Sequence, residues 1–163
     1  MRSFFAVPRV GDDVSVRIVA GVVLAVVLVA AVSGWTWLFA VLAVDFWLRA
    51  ATGPRFSPVA HLVLGVMRPR LPVVPRETPG APKRFAAAIG AVLTTAITVL
   101  FAVGATTPAW LLATLMVIFP ALEAFFGLCV GCRLFALGMR AGLVPQQVCL
   151  DCADITRRAR STA

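Results

Sequence analysis

Four long apolar stretches organise the chain: about Val16 to Val32, Trp35 to Ala51, Phe85 to Gly104 and Ala109 to Gly127, the last continuing as helix toward Ala141. Crossing a hydrocarbon layer of ~30 Å takes about 17 to 25 helical residues. All four stretches meet that length, the second narrowly. Apolar residues occupy every side of each helix rather than one stripe, the pattern of helices buried in lipid. Ser33-Gly34 interrupts the first pair and Gly104 to Pro108 the second. The expected fold is therefore all-α, a four-helix polytopic integral membrane protein built from two helical hairpins. These give a two-plus-two plan, although no sequence repeat is apparent.

Composition agrees with that reading: 61% of the 163 residues are hydrophobic and 13% charged, against about 25% charged in a typical soluble domain. The net charge of +8 would suggest nucleic acid in a soluble protein, but its distribution gives a different explanation. The links inside the two hairpins carry no charge. All fifteen Lys and Arg lie before the first helix, around the connection between hairpins, or toward the C-terminus. The positive-inside rule places those parts in the cytoplasm, giving N-in, C-in topology in a bacterial plasma (inner) membrane. Trp35, Trp37 and Trp110 mark the opposite, outer boundary. Residues 1–143 then form the transmembrane domain and 144–163 a cytoplasmic tail.

The central connection, Thr52 to Arg84, is Pro- and Arg-rich and too polar to span. Within it Pro58 to Met67 places Val59, Leu62, Val63, Val66 and Met67 at roughly helical spacing. That pattern suits a short amphipathic helix at the inner interface, and an ordinary solvated loop fits equally.

Three charges fall inside the spans. At ~1.5 Å per residue, Arg49 lies about 21 Å below Trp35 and Glu123 about 20 Å below Trp110. Asp45 stands one turn from Arg49, at i−4. An unpaired charge at such depth costs at least about 2.5 to 3.5 kcal/mol, so Asp45, Arg49 and Glu123 are expected to cluster and join helices two and four. A structural latch is the favoured role, with a proton or anion path as the functional alternative.

The four cysteines form two pairs, Cys129-Val-Gly-Cys132 and Cys149-Leu-Asp-Cys152. Their spacing fits a four-thiolate zinc site, which makes possible zinc the one cofactor to consider. The same CxxC units suit thiol-disulfide exchange, because helical positions i and i+3 share a face at a separation that a disulfide bridges. Cytoplasmic thiols rest reduced, so a disulfide there would be catalytic or regulatory. Cys129 and Cys132 are expected on the inner, C-terminal end of a continuous fourth helix, a position that disfavours thiolate, while Arg133 beside Cys132 favours it.

Gly53-Pro54-Arg55-Phe56-Ser57-Pro58, Pro82-Lys83-Arg84-Phe85-Ala86 and Gly127-Leu128-Cys129-Val130-Gly131-Cys132, in this order, resemble the domain-of-unknown-function 4395 family of small bacterial membrane proteins. The resemblance covers about Val16 to Arg140. It implies a thioredoxin-like or sulfurtransferase-type partner for Cys129 and Cys132, and no established activity. The expected function is a membrane-embedded thiol-disulfide or sulfur-relay component. In it Cys129 and Cys132 exchange, Cys149 and Cys152 resolve or dock, and the lipid bilayer rather than nucleic acid is the surrounding partner. The alternatives are a non-enzymatic subunit with a four-cysteine zinc site and a small anion carrier using Arg49.

Overall fold

The computed structural model of the chain describes residues 10–53, 56–67 and 77–141. Within them the order is β1 (Val10–Asp12), α1 (Asp13–Ser33), α2 (Trp37–Thr52), α3 (Pro58–Leu62) running into a π turn (Val63–Met67), β2 (Glu77–Pro79), α4 (Gly80–Ala102), α5 (Thr106–Phe126) and α6 (Val130–Arg140). The fold is helical, as expected, with one small addition: β1 and β2, three residues each, pair antiparallel with Gly11 opposite Thr78. These strands lie at the entrances to the two hairpins, where the sequence is too short and too polar to show alternation.

Both expected hairpins are present. Each turns on a glycine in the left-handed region, Gly34 at φ 71° and Gly104 at φ 78°, a conformation that costs glycine little and other residues more. The N-cap Ser57 and the proline at the first helical position start α3, the usual preference for both residue types.

The fourth apolar stretch differs from expectation. It is not one helix running to Ala141, because Gly127 adopts φ 66° and ends α5, and a separate helix begins at Val130.

Three helical segments are long and apolar enough to cross a membrane: Asp13–Ser33, Pro82–Ala102 and Thr106–Phe126, 21 residues each. At ~1.5 Å per residue each matches the hydrocarbon thickness. The 16 residues of α2 fall just below a full span. Much of the outer surface is apolar, including Val92, Val99, Leu111 and Phe125, as expected of helices that face lipid and not of a water-soluble surface.

The hairpins interlock rather than sit side by side: α1 packs along α5, and α2 along α4. Between them lie Val23, Val27, Phe39, Leu42, Ala91, Ile97, Ala113 and Met116. Phe101 stacks on Phe39 at 5.9 Å and meets Trp110 edge-on at 5.2 Å, geometries that aromatic quadrupoles favour. Close approach of α2 and α4 depends on Gly90, where a Cβ would stand 2.6 Å from the Phe46 ring. Thr94 and Thr98 bond back to carbonyls of their own helix, while Thr95 also accepts from Trp47 Nε1 at 3.2 Å.

Candidate functional site

The break at Gly127 creates the site. The N–H groups of Gly127 and Leu128 fold back onto the carbonyls of Glu123 and Leu122 at 3.0 and 3.1 Å, a left-handed helix ending of the kind glycine supplies. The carbonyls of Ala124 and Phe125 are also left without helical partners. Arg17, from the start of α1, fills that need: its Nε and Nη2 donate to Ala124 O at 3.3 and 3.2 Å, and Nη2 to Phe125 O at 2.9 Å. A guanidinium at a helix C-terminus is also favoured by the helix dipole.

Two residues after Gly127, Cys129 becomes the N-cap of α6. Its backbone is extended, and its Sγ accepts from the Cys132 N–H at 3.4 Å. Cys132 is the third residue of the helix, so both sulfurs lie where the unpaired N–H groups of the first turn favour negative charge. This reverses the sequence expectation: the pair begins one helix instead of ending another. Both cysteines are free and half-buried.

The thiol of Cys132 is held below its ordinary pKa chiefly by a side-chain hydrogen bond with Cys129. That same bond pushes Cys129 up, with burial and the nearby Glu123 charge adding to it. The pair therefore favours one thiolate, on Cys132, and one retained proton, on Cys129.

The two sulfurs line a cavity of about 390 Å³, within the range of small-ligand sites. Glu123 enters it from the last turn of α5 and shares its lining with Cys129 and Cys132. Lys83 and Asp13 join the starts of α4 and α1 across its rim at 3.6 Å, and Arg17 and exposed Arg133 also border it. Close contact between α6 and α4 holds the first turn of α6 in place: a Cβ on Gly131 would stand 2.5 Å from the Ala86 Cβ. Phe85 and Phe135 pack at 5.6 Å beside it.

The expected charge cluster divides. Asp45 is fully buried and pairs with Arg49. Its Oδ1 accepts from the Ser57 hydroxyl and from the Val59 N–H at 3.2 Å. It thus ties α2 to α3. Arg49 lies over the Phe46 ring at 4.4 Å, and Glu123 is within electrostatic range of it. No ion pair between Arg49 and Glu123 occurs among the described residues, and Glu123 instead faces the cysteines.

Cys149 and Cys152 lie outside the described residues. Among the described residues no group of three or more His, Cys, Asp or Glu is placed to hold a metal ion. The zinc arrangement draws on all four cysteines, two of which are in that tail.

Sequence reasoning missed Asp13, Arg17 and Lys83 as parts of the site. They were legible only as orientation charges, because their partners lie far along the chain. Placing Glu123 beside Cys129 required the helix break at Gly127, for which the glycine itself was the available signal.

Fold and site together define a small helical protein with membrane-length apolar helices and a dithiol at a helix N-terminus. The chain belongs to the family described as Domain of unknown function (DUF4395), whose model matches residues 12–140, as the three sequence motifs implied. No curated protein and no solved structure matches it.

Proposed function

We propose that the protein is a membrane-embedded thiol-disulfide or sulfur-relay component in which Cys129 and Cys132 are the exchanging pair. The observation that carries this reading is the placement of both free cysteines in the first turn of α6, half-buried in a cavity that also receives Glu123. A CxxC at a helix N-terminus lowers the pKa of one thiol and keeps the other ready to resolve a mixed disulfide. In this reading α2 completes a fourth crossing, and both termini, the central connection and the dithiol face the cytoplasm of a bacterial inner membrane, as the charge distribution favours.

The exchange follows from the two thiols' unequal acidity. The Cys132 thiolate attacks one sulfur of a partner disulfide, and the other partner sulfur leaves as thiolate. Cys129 then attacks Cys132 in the mixed disulfide, passing its proton toward Glu123 and releasing the second partner sulfur. The partner gains two electrons, and Cys129 and Cys132 end joined by an S–S bond. A thioredoxin-like protein or a sulfurtransferase is the proposed partner, with Cys149 and Cys152 as a resolving or docking pair.

Mass-resolved thiol trapping in intact cells after a brief oxidant pulse tests this, with and without prior chelation. The relay predicts a Cys129–Cys132 disulfide or persulfide that forms and recovers within minutes. Thiols that stay unoxidised and alkylate only after chelation would replace the relay by a metal-held docking site.

A further inference from the structure

The strand register, the arginine caps and the left-handed glycines report one relation between two halves of the chain. In the ribbon Val10 faces Pro79, Gly11 faces Thr78 and Asp12 faces Glu77. The local two-fold of such an antiparallel pair carries residue 11 onto residue 78, a displacement of 67,. The same displacement carries Arg17 onto Arg84.

These two arginines do the same work. Arg17 caps α5 at the carbonyls of Ala124 and Phe125. Arg84 caps α2 at those of Ala50, at 3.0 and 2.8 Å, and Ala51, at 3.0 Å. The capped residues differ by 74 in both cases (50 onto 124, 51 onto 125).

The displacement of 74 also carries Gly53 onto Gly127; both have positive φ, 75° and 66°, and each bonds its N–H to the carbonyl four residues earlier, while ψ differs, −163° against 18°. It carries Arg49 onto Glu123 as well. Packing of α1 on α5 and of α2 on α4 is the reciprocal exchange that a two-fold axis requires,.

The short helices complete the correspondence. Ser57 caps α3 with φ −77° and ψ 122°, its hydroxyl accepting from the Ala60 N–H at 3.0 Å. Cys129 caps α6 with φ −78° and ψ 105°, its sulfur accepting from the Cys132 N–H at 3.4 Å. In each half the preceding long helix carries a carboxyl near its end. Asp45 accepts from the Ser57 hydroxyl, and Glu123, one turn closer to its helix end, lines the same cavity as Cys129.

We infer that the chain is a duplicated unit of strand, helical hairpin and capped short helix, and that Ser57 and Ala60 form the latent counterpart of the Cys129–Cys132 site. The first-half site is sealed: Ser57 and Asp45 are fully buried, and Asp45 is held by Arg49. The second-half site opens into the cavity that holds the free thiols. One copy therefore serves as a latch and the other carries the chemistry. The duplication stands on backbone geometry and caps, so it holds whatever reaction Cys129 and Cys132 perform.

The test installs Ser57→Cys and Ala60→Cys in full-length protein whose four native cysteines are replaced by serine, and treats the purified protein with diamide. The two thiols pass two electrons and two protons to diamide, which becomes the hydrazine, and one S–S bond forms. Expected is an intramolecular disulfide that forms more slowly than in the native pair, because the first-half site is sealed, but reaches at least about half of the molecules on prolonged treatment, whereas Ser57→Cys with Leu62→Cys gives less than about a tenth of that. A folded protein with no bond between the two introduced thiols at positions 57 and 60 would overturn the inference. Should the buried substitution prevent folding, the reciprocal variant Cys129→Ser/Cys132→Ala decides. Equivalent sites predict that it stays monodisperse with a thermal midpoint within a few degrees of the parent, and aggregation of that variant would overturn the inference.

Discussion

Gly131 stands between the two cysteines, and replacing it by alanine adds one methyl group at the tightest contact of the site. The new Cβ would lie 2.5 Å from the Ala86 Cβ and 2.6 Å from its Cα. Carbon atoms pack at about 3.5 to 4.0 Å, so α6 and α4 must separate by roughly 1 Å. No flexible side-chain end is available to yield, because the obstructing atoms are the first two carbons of Ala86. Overpacking of this kind costs about 1 to 3 kcal/mol, which corresponds to a ~5- to 150-fold weaker seating of α6. The assay is the rate at which a bulky maleimide labels Cys129 and Cys132 in purified protein, read by mass beside the thermal midpoint. Gly131→Ala is expected to label faster by up to that factor and to melt lower. Gly21→Ala, with nothing within 4 Å of the added carbon, is expected to leave the labelling rate unchanged and, because it removes a mid-helix glycine, not to lower the midpoint. Unchanged labelling and midpoint in Gly131→Ala would refute the claim that the α4–α6 contact positions the dithiol.

Three further outcomes follow from the same geometry. Asp45→Ala leaves the Arg49 cation without its carboxylate partner and is expected to destabilise the protein by about 3 to 5 kcal/mol, much of it recovered in Asp45→Ala/Arg49→Leu; a double-mutant cycle showing simple additivity would contradict the latch. Arg17→Leu uncaps α5 beside the thiols, an effect of about 0.3 to 2 kcal/mol. It is expected to alter the alkylation rate of Cys129 and Cys132, whereas Arg84→Leu lowers the thermal midpoint alone, and identical alkylation rates in the two variants would count against the capping argument. Because Cys132 is held low and Cys129 high by their shared hydrogen bond, alkylation should reach Cys132 at a pH below that of an ordinary thiol and Cys129 only above it. Cys132→Ser removes that partner and should move the Cys129 profile to lower pH; labelling of Cys129 first in the parent would reverse the assignment.

The apolar runs made both hairpins readable in the sequence, because lipid-length helices require continuous hydrophobicity and Gly34 and Gly104 interrupt it visibly. Gly127 was hidden by its neighbours. Phe125, Phe126, Leu128 and Val130 continue the apolar run across it, so hydropathy alone joins α5 to α6. That join placed the cysteines at the wrong end of a helix and sent Glu123 toward Arg49. The arginine caps were unreadable for a different reason: Arg17 meets carbonyls 107 and 108 residues away, and nothing local records such a partner. The internal two-fold left no sequence repeat because it constrains a few positions, two arginines, the glycines and the cap residues, while lipid-facing positions accept any apolar side chain.

The most direct measurement is an equilibrium redox titration of the purified full-length protein across glutathione buffers, with the thiol state of each cysteine read by mass. One two-electron transition is expected, its oxidised form carrying a Cys129–Cys132 disulfide. Absence of that transition, with stoichiometric zinc whose removal frees all four thiols, would contradict the relay.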